Sequence, residues 1–312
     1  MVPHWATAAL AAVLTLRPVR ATFRPLKRLL PFEALARSRW WQSMRFAVTQ
    51  SYADRADKTF TRFMRVPTQF EALTDAVLPA VFAHQTSEPF RIVVMGCSNG
   101  AEAFSIASVL SRKYPSLDFA IDAFDLSDAM IAQAKSGRFP REQVDTAHPP
   151  SSDFVASTFD IDGEAYIVKP AITRRVSFDV ADLFDKSVIQ RIGTADIVFA
   201  QNVLINFLRP RAREGFQQIL QLLKPRAALF IDGMDLDLRE ELARAAGLHP
   251  LDYKIREIHD DARVIRGEVW PWVYWGLEPF AKSRNWRERY ATIYLTPSAR
   301  VAQQQHERRA SA

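Results

Sequence analysis

The chain has 312 residues, 48% hydrophobic and 24% charged, a globular balance that excludes disorder over most of its length. Ten glycines and a single cysteine, Cys97, exclude collagen-like and glycine-linker architectures, an internal disulfide and a cysteine-rich zinc site. The formal charge of +6 is gathered at the start: residues 1–32 hold Arg17, Arg20, Arg24, Lys27 and Arg28 and no acid, whereas residues 33–312 hold 36 basic and 35 acidic side chains. A nearly neutral body gives no support to nucleic-acid binding, which needs a basic face that neutralises several phosphates.

Residues 5–16 are apolar and precede the basic stretch, but twelve residues are too few to cross a bilayer that needs about 20. No basic residue precedes the apolar run, which disfavours a secretory signal. Residues 1–32 suit either a helix packed on the body or a segment that touches an anionic membrane surface. With one cysteine, the expected compartment is the cytoplasm, at the membrane periphery if that segment binds lipid.

Residues 33–88 read as a helical region. Trp40, Met44 and Val48 recur at helical spacing. Pro67 opens a second helix carrying Phe70, Leu73, Val77 and Val81, which Pro79 kinks or ends.

From residue 89 to 297 the pattern becomes α/β. Arg91–Cys97 is a short β-branched run, followed by a turn and a helix with Ala103, Ile106, Ala107 and Leu110 on one face. A second strand fits Phe119–Asp125, with Ser127 as N-cap of a helix over Asp128–Lys135. Further strands fit Val176–Phe178, Asp196–Ala200 and Ala227–Ile231, with a helix carrying Phe216, Ile219, Leu220 and Leu223 between the last two. Alternating strands and helices predict a doubly wound, mostly parallel sheet. Residues 140–175 break the rhythm and read as a small inserted β element, with a hairpin at 160–170. RYATIYL at 289–295 reads as a final strand, and 298–312 as a frayed tail.

In such folds, ligands bind beyond the carboxyl ends of the strands at the switch point. The turn after the first strand holds Gly96 and Gly100, which allow tight turning and close backbone approach. Their G-x-x-x-G spacing is neither the dinucleotide fingerprint nor the phosphate loop, and simple strand–helix packing explains the pair equally well. Asp125, at the end of the second strand, suits the two hydroxyls of a ribose, or else a turn or cap. Glu102 favours the helix N-terminus electrostatically, or faces a cationic group of a ligand; an acid there disfavours a phosphate.

These blocks carry a family resemblance. GCSNGAEAFSIASVL at 96–110, AFDLSDAMIAQAKSGRF at 123–139, VKPAITRRVSFDVADLF at 168–184, QNVLINF at 201–207 and TFTRFMRVPTQFEAL at 59–73 resemble, in consistent order, the motifs of CheR-type chemotaxis-receptor methyltransferases. The resemblance implies S-adenosylmethionine (SAM) as cofactor. It places Thr61 and Arg65 at the methionine end, Glu102 at the amino group, Asp125 at the ribose and Asp182 and Leu183 beside the adenine. Gln201, Asn202 and Asn206 fall at the transfer site, with Asn202 and Asn206 as the catalytic candidates.

The chain departs from the family pattern at Gln201 (Arg in the family), Asn206 (Tyr), Ala101 (Glu) and Thr59 (Asn). Those departures imply a different acceptor: a small or lipid-like molecule is favoured over a chemoreceptor glutamate, with an unidentified protein carboxylate also in view. The alternative is a SAM-binding regulator or scaffold that has lost catalysis. Aromatics in RGEVWPWVYWGLEPF at 266–280 suit an acceptor wall or an ordinary core. No metal-ligand spacing is present, and His148, His249 and His259 lie far in sequence from the fourth strand.

Overall fold

The computed structural model describes residues 61–82, 89–266, 280, 282 and 284–310. The basic N-terminal segment, the helix expected over 33–50, and most of the aromatic stretch at 266–280 lie outside the described residues.

Helix α1 (Pro67–Ala72) begins on its proline and runs through a π turn, Leu73–Val77, into α2 (Leu78–Val81). Pro79 has no N–H to give and its ring crowds the carbonyl four residues back. The widened turn before it accommodates both defects and lets the helix continue to Val81.

The α/β body follows as β1 (Phe90–Met95), α3 (Ala101–Lys113), β2 (Phe119–Asp125) and α4 (Asp128–Ser136). An inserted stretch comes next: β3 (Arg138–Pro140), α5 (Arg141–Val144), α6 (Ser152–Thr158), β4 (Phe159–Asp162), β5 (Ala165–Val168) and α7 (Pro170–Thr173). The body resumes with β6 (Val176–Val180), α8 (Lys186–Ile192), β7 (Ala195–Gln201), a 3₁₀ turn at Leu204–Asn206, α9 (Arg209–Gln221), β8 (Leu223–Asp232) and α10 (Leu236–Ala245). It ends with β9 (His249–Pro250), α11 (Ile255–Arg266), α12 (Trp286–Tyr290), β10 (Ile293–Leu295) and α13 (Pro297–Ala310).

The main sheet has the order β6-β2-β1-β7-β8-β10-β9. The pairs among β6, β2, β1, β7 and β8 are parallel, and β10 is antiparallel to both its neighbours. This is the doubly wound, mostly parallel sheet expected. Successive residues alternate between two cores, as the period of a strand requires. Ile92, Val94, Ile197, Phe199, Ala228 and Phe230 face one core, and Val93, Met95, Val198, Ala200, Leu229 and Ile231 face the other. Such runs are buried on both faces, which is why they read as unbroken apolar stretches.

The inserted element is a three-stranded antiparallel sheet, β3-β5-β4. The hairpin at 160–170 is present as β4 and β5; β3 and the short helices had no comparable apolar signal.

Three expectations are corrected. The stretch 298–312 is not a frayed tail over its length: α13 reaches Ala310. Its polar composition hid a helix that needs only a narrow seat, with Ala299 fully buried against the first core. RYATIYL is not one strand: Arg289 and Tyr290 complete α12, and only Ile293–Leu295 pair with β8. Leu223 belongs to β8 rather than to the helix before it.

Because Ala299 is fully buried, Ala299→Glu should force an unpaired carboxylate into this seam. It should lower the free energy of unfolding by roughly 2–4 kcal/mol, measured by denaturant titration; a change within 0.5 kcal/mol, about that of a surface substitution, would show that α13 is not docked.

Candidate functional site

The switch point lies between β1 and β7, since the chain builds the sheet outward from β1 to β2 and β6 before crossing back to β7. At the carboxyl end of β1 the backbone is sharply turned. Gly96 and Gly100 both have positive φ, +69° and +86°. A Cβ on Gly96 would meet Val203 at 2.6 Å, and one on Gly100 would meet Phe178 at 2.8 Å and Ala134 at 3.0 Å. Both glycines are therefore required by conformation and by packing within the protein. Their neighbour Ser98 also has positive φ, +50°.

That conformation aims the Ser98 amide at the end of β2. The Asp125 carboxylate accepts from Ser98 N–H through Oδ2 (2.7 Å) and from Ser127 N–H through Oδ1 (2.9 Å). Each oxygen retains lone-pair capacity for another donor. Asp125 is thus fixed by backbone on both sides, and Ser127 serves as the N-cap of α4 as expected. Leu126, between them, is exposed.

Glu102 stands in the first turn of α3, where the helix dipole favours an anion. Its side chain is nearly enclosed, and burial pushes its pKa up, opposed by the charge of Arg65. Arg65 reaches it from before α1, Nη2 to Oε1 at 3.5 Å. The turn that carries Arg65 is anchored twice. Phe63 is buried edge-on between Phe139 and Phe159 of the inserted sheet, with ring centroids at 4.8 and 4.9 Å. Met64, in the left-handed region at φ +48°, donates its N–H to Ser105 Oγ (3.0 Å). Ser105 in turn donates to Ala101 O (2.7 Å) in the first turn of α3. The insertion is therefore a support for the site as well as an appendage. Thr61 is half-buried just upstream of this turn.

On the far side, Asp182 is exposed and its Oδ1 accepts from Phe184 N–H (2.8 Å). Leu183 is buried in the second core, and a Cβ on Gly215 would meet it at 3.3 Å. Its side chain packs under α9. Beyond β7, Asn202 adopts a left-handed conformation, φ +58°, and donates its N–H to Asp232 O (3.0 Å). Asn206 ends the 3₁₀ turn. The Gln201 side chain is buried and donates to Gln69 Oε1 (3.1 Å), and Gln69 donates to Thr292 Oγ1 (2.8 Å). This amide chain joins β7, α1 and the approach to β10.

The structure thus gathers Gly96, Gly100, Glu102, Asp125 and Arg65 at one end of β1 and β2. Sequence reasoning missed Ser98, Ser105 and Gln69; only Ser98, inside the glycine turn, carried a local signal. His148 and His249 are exposed, while His259 is packed against Phe280 and Tyr290 in the second core region. Cys97 is buried, and burial together with Asp125 and Glu102 pushes its thiol well above the ordinary range, so it is held as the unreactive thiol. Among the described residues no cluster of His, Cys, Asp or Glu is arranged to hold a metal ion, and no helix is long and apolar enough to cross a membrane.

Residues 59–240 match the family model "CheR methyltransferase, SAM binding domain", and the chain belongs to that family. It is 30% identical over 174 residues to Chemotaxis protein methyltransferase 2 of Vibrio cholerae, covering 55% of this chain and 60% of that one. It is 29% identical over 193 residues to the Probable biofilm formation methyltransferase WspC of Pseudomonas putida, covering 61% of this chain and 44% of the relative. With Chemotaxis protein methyltransferase 1 of Pseudomonas aeruginosa it shares 29% identity over 197 residues, 61% of this chain and 70% of the other. The match therefore spans 60% and 44% of the first two relatives' length.

Two outcomes follow from the geometry. Gly100→Ala should cost about 1–3 kcal/mol through strain and overpacking on Phe178. Gly163→Ala, with similar φ but nothing within 4 Å of its Cβ, should cost only about 1 kcal/mol. Equal costs in denaturant titrations would contradict the packing argument. For Glu102, a raised folded-state pKa means that the native state binds the proton more tightly than the unfolded state. Its contribution is therefore most favourable below the ordinary carboxylate range and is lost as pH rises through the raised value. Glu102→Gln should stabilise the ligand-free protein at neutral pH and flatten this part of the pH–stability profile; an unchanged profile would contradict it.

Proposed function

We propose that the protein is a SAM-dependent methyltransferase whose acceptor is a carboxylate on a protein. The observation that carries this reading is the Arg65–Glu102 pair facing the same strand ends as Asp125. A zwitterionic amino acid joined to a nucleoside needs a cation, an anion and a ribose acceptor in that order, and the residues fit. Arg65 is suited to the methionine carboxylate, Glu102 to the ammonium and Asp125 to the ribose hydroxyls. The unpaired burial of Glu102 beyond Arg65 fits a carboxylate that expects a second cationic partner. Asp182 is available at the exposed edge for the adenine amine, and Leu126 offers an apolar face beside the ribose. Thr61 fits near the methionine end. Leu183 shapes this wall from beneath, through packing.

Bound SAM supplies an electrophilic methyl group on sulfur. The protein's share is alignment and exclusion of water. Gln201 ends β7 and Asn202 and Asn206 follow it, where the acceptor would lie, and the left-handed Asn202 backbone is of the kind found at such positions. A carboxylate acceptor is already a nucleophile at neutral pH and needs no general base.

The preference for a small molecule rested on Gln201 and Asn206. Gln201 is engaged with Gln69 in a buried amide chain, so its replacement of an arginine does not by itself argue for a roomier pocket. The relatives named chemotaxis protein methyltransferases support a protein acceptor. A regulator without catalysis is not favoured.

Incubation with methyl-labelled SAM and a total protein extract should give label on protein that alkali releases as methanol, the mark of a carboxyl methyl ester. Label confined to small molecules, or stable to alkali, would overturn the proposed acceptor. Asp125→Ala should weaken SAM binding by about 1–3 kcal/mol; calorimetry showing unchanged affinity would remove Asp125 from the site.

A further inference from the structure

The turn before α1 carries a second arginine that forms no ion pair among the described residues. Arg62 is half-buried, and its Nε is wholly enclosed without a hydrogen-bond partner. Among the described residues it makes no ion pair. Buried donors are nearly always paired, so such an orphan calls for an explanation. Burial, and after it the charge of Arg65, push the Arg62 guanidinium below its ordinary pKa.

The backbone explains their proximity. Phe63 and Met64 are the turn residues between them, so Arg62 and Arg65 are the first and last residues of a four-residue turn, whose ends lie within about 7 Å. The left-handed conformation of Met64 makes the reversal, and the Phe63 and Ser105 contacts described above hold it against the start of α3. Arg65 is already shared with Glu102 at 3.5 Å. Arg62 is the surplus cation of the pair, pre-positioned at a cost in stability and without an anion among the described residues.

We propose that Arg62 supplies a second guanidinium to the carboxylate of the cofactor's methionine moiety, closing a two-arginine clamp with Arg65. The proposal rests on the SAM reading. It explains why an arginine is tolerated where it repels its neighbour and leaves a donor unpaired. When the carboxylate enters, both guanidiniums gain an anion, and Glu102 is left to the ammonium. Arg62 is thus a binding residue that sets the preference for an amino-acid-bearing nucleoside over one that lacks the carboxylate.

The test is calorimetric and uses two probes: S-adenosylhomocysteine, and its decarboxylated counterpart in which hydrogen replaces the carboxylate. Wild-type protein should prefer S-adenosylhomocysteine. In Arg62→Gln, its affinity should fall on the order of tenfold, the scale of one charge-assisted pair, while affinity for the decarboxylated compound stays unchanged. Arg62→Lys, which keeps the charge without the fork, should fall between. Arg62→Leu should melt no lower than wild type without ligand, because it removes a repulsion and an orphaned donor. Unchanged affinity for S-adenosylhomocysteine in Arg62→Gln would overturn the clamp, as would an equal loss for both compounds. Wild-type protein that binds neither compound would overturn the SAM reading and the clamp with it.

Discussion

A carboxylate enclosed at the start of a helix has to be matched by cations, and much of this molecule serves that requirement at Glu102. The helix N-terminus meets part of it. A further part comes from Arg65, which belongs to no element of the main sheet and has to be delivered from before α1. Phe63 is sunk into the aromatic cluster of the inserted sheet, and the strained Met64 amide is tied to α3 through Ser105. Without those anchors Arg65 would be a solvated side chain on an exposed turn. The inserted sheet, the preceding turn and α3 are therefore one mechanical unit.

Asp125 is positioned by a different logic. Its two oxygens are each held by a backbone N–H, from Ser98 and Ser127, so side-chain rotamers have little say in where it sits. The Ser98 amide is available only because Gly96, Ser98 and Gly100 all adopt positive φ. Strain stored in that turn is offset by the packing of Val203 and Phe178 against the glycines, and an exact carboxylate position is obtained in return.

Much of this was legible in the sequence because it is local. β1 and the N-cap at Ser127 follow from a β-branched run and a capping serine read in place, Gly96 and Asp125 lie at predictable strand ends, and Glu102 opens the helix that follows the glycine turn. The illegible features are those made by distant partners. Gln201 looked like an altered acceptor wall, but its carboxamide is spent on Gln69, 132 positions earlier. The helix of the C-terminal stretch was hidden because one buried alanine suffices to dock it. Arg62 had no signal in sequence at all, since its oddity is an enclosed Nε without a hydrogen-bond partner, which only folding reveals.

The central claim is that the ends of β1 and β2 form a site for an amino-acid-bearing nucleoside. A crystal structure of the protein with S-adenosylhomocysteine tests it most directly. The account predicts the ribose hydroxyls on Asp125, the ammonium on Glu102 and the carboxylate on the arginine turn. A ligand bound elsewhere, or bound there with its amino acid turned away from Glu102 and Arg65, would contradict it.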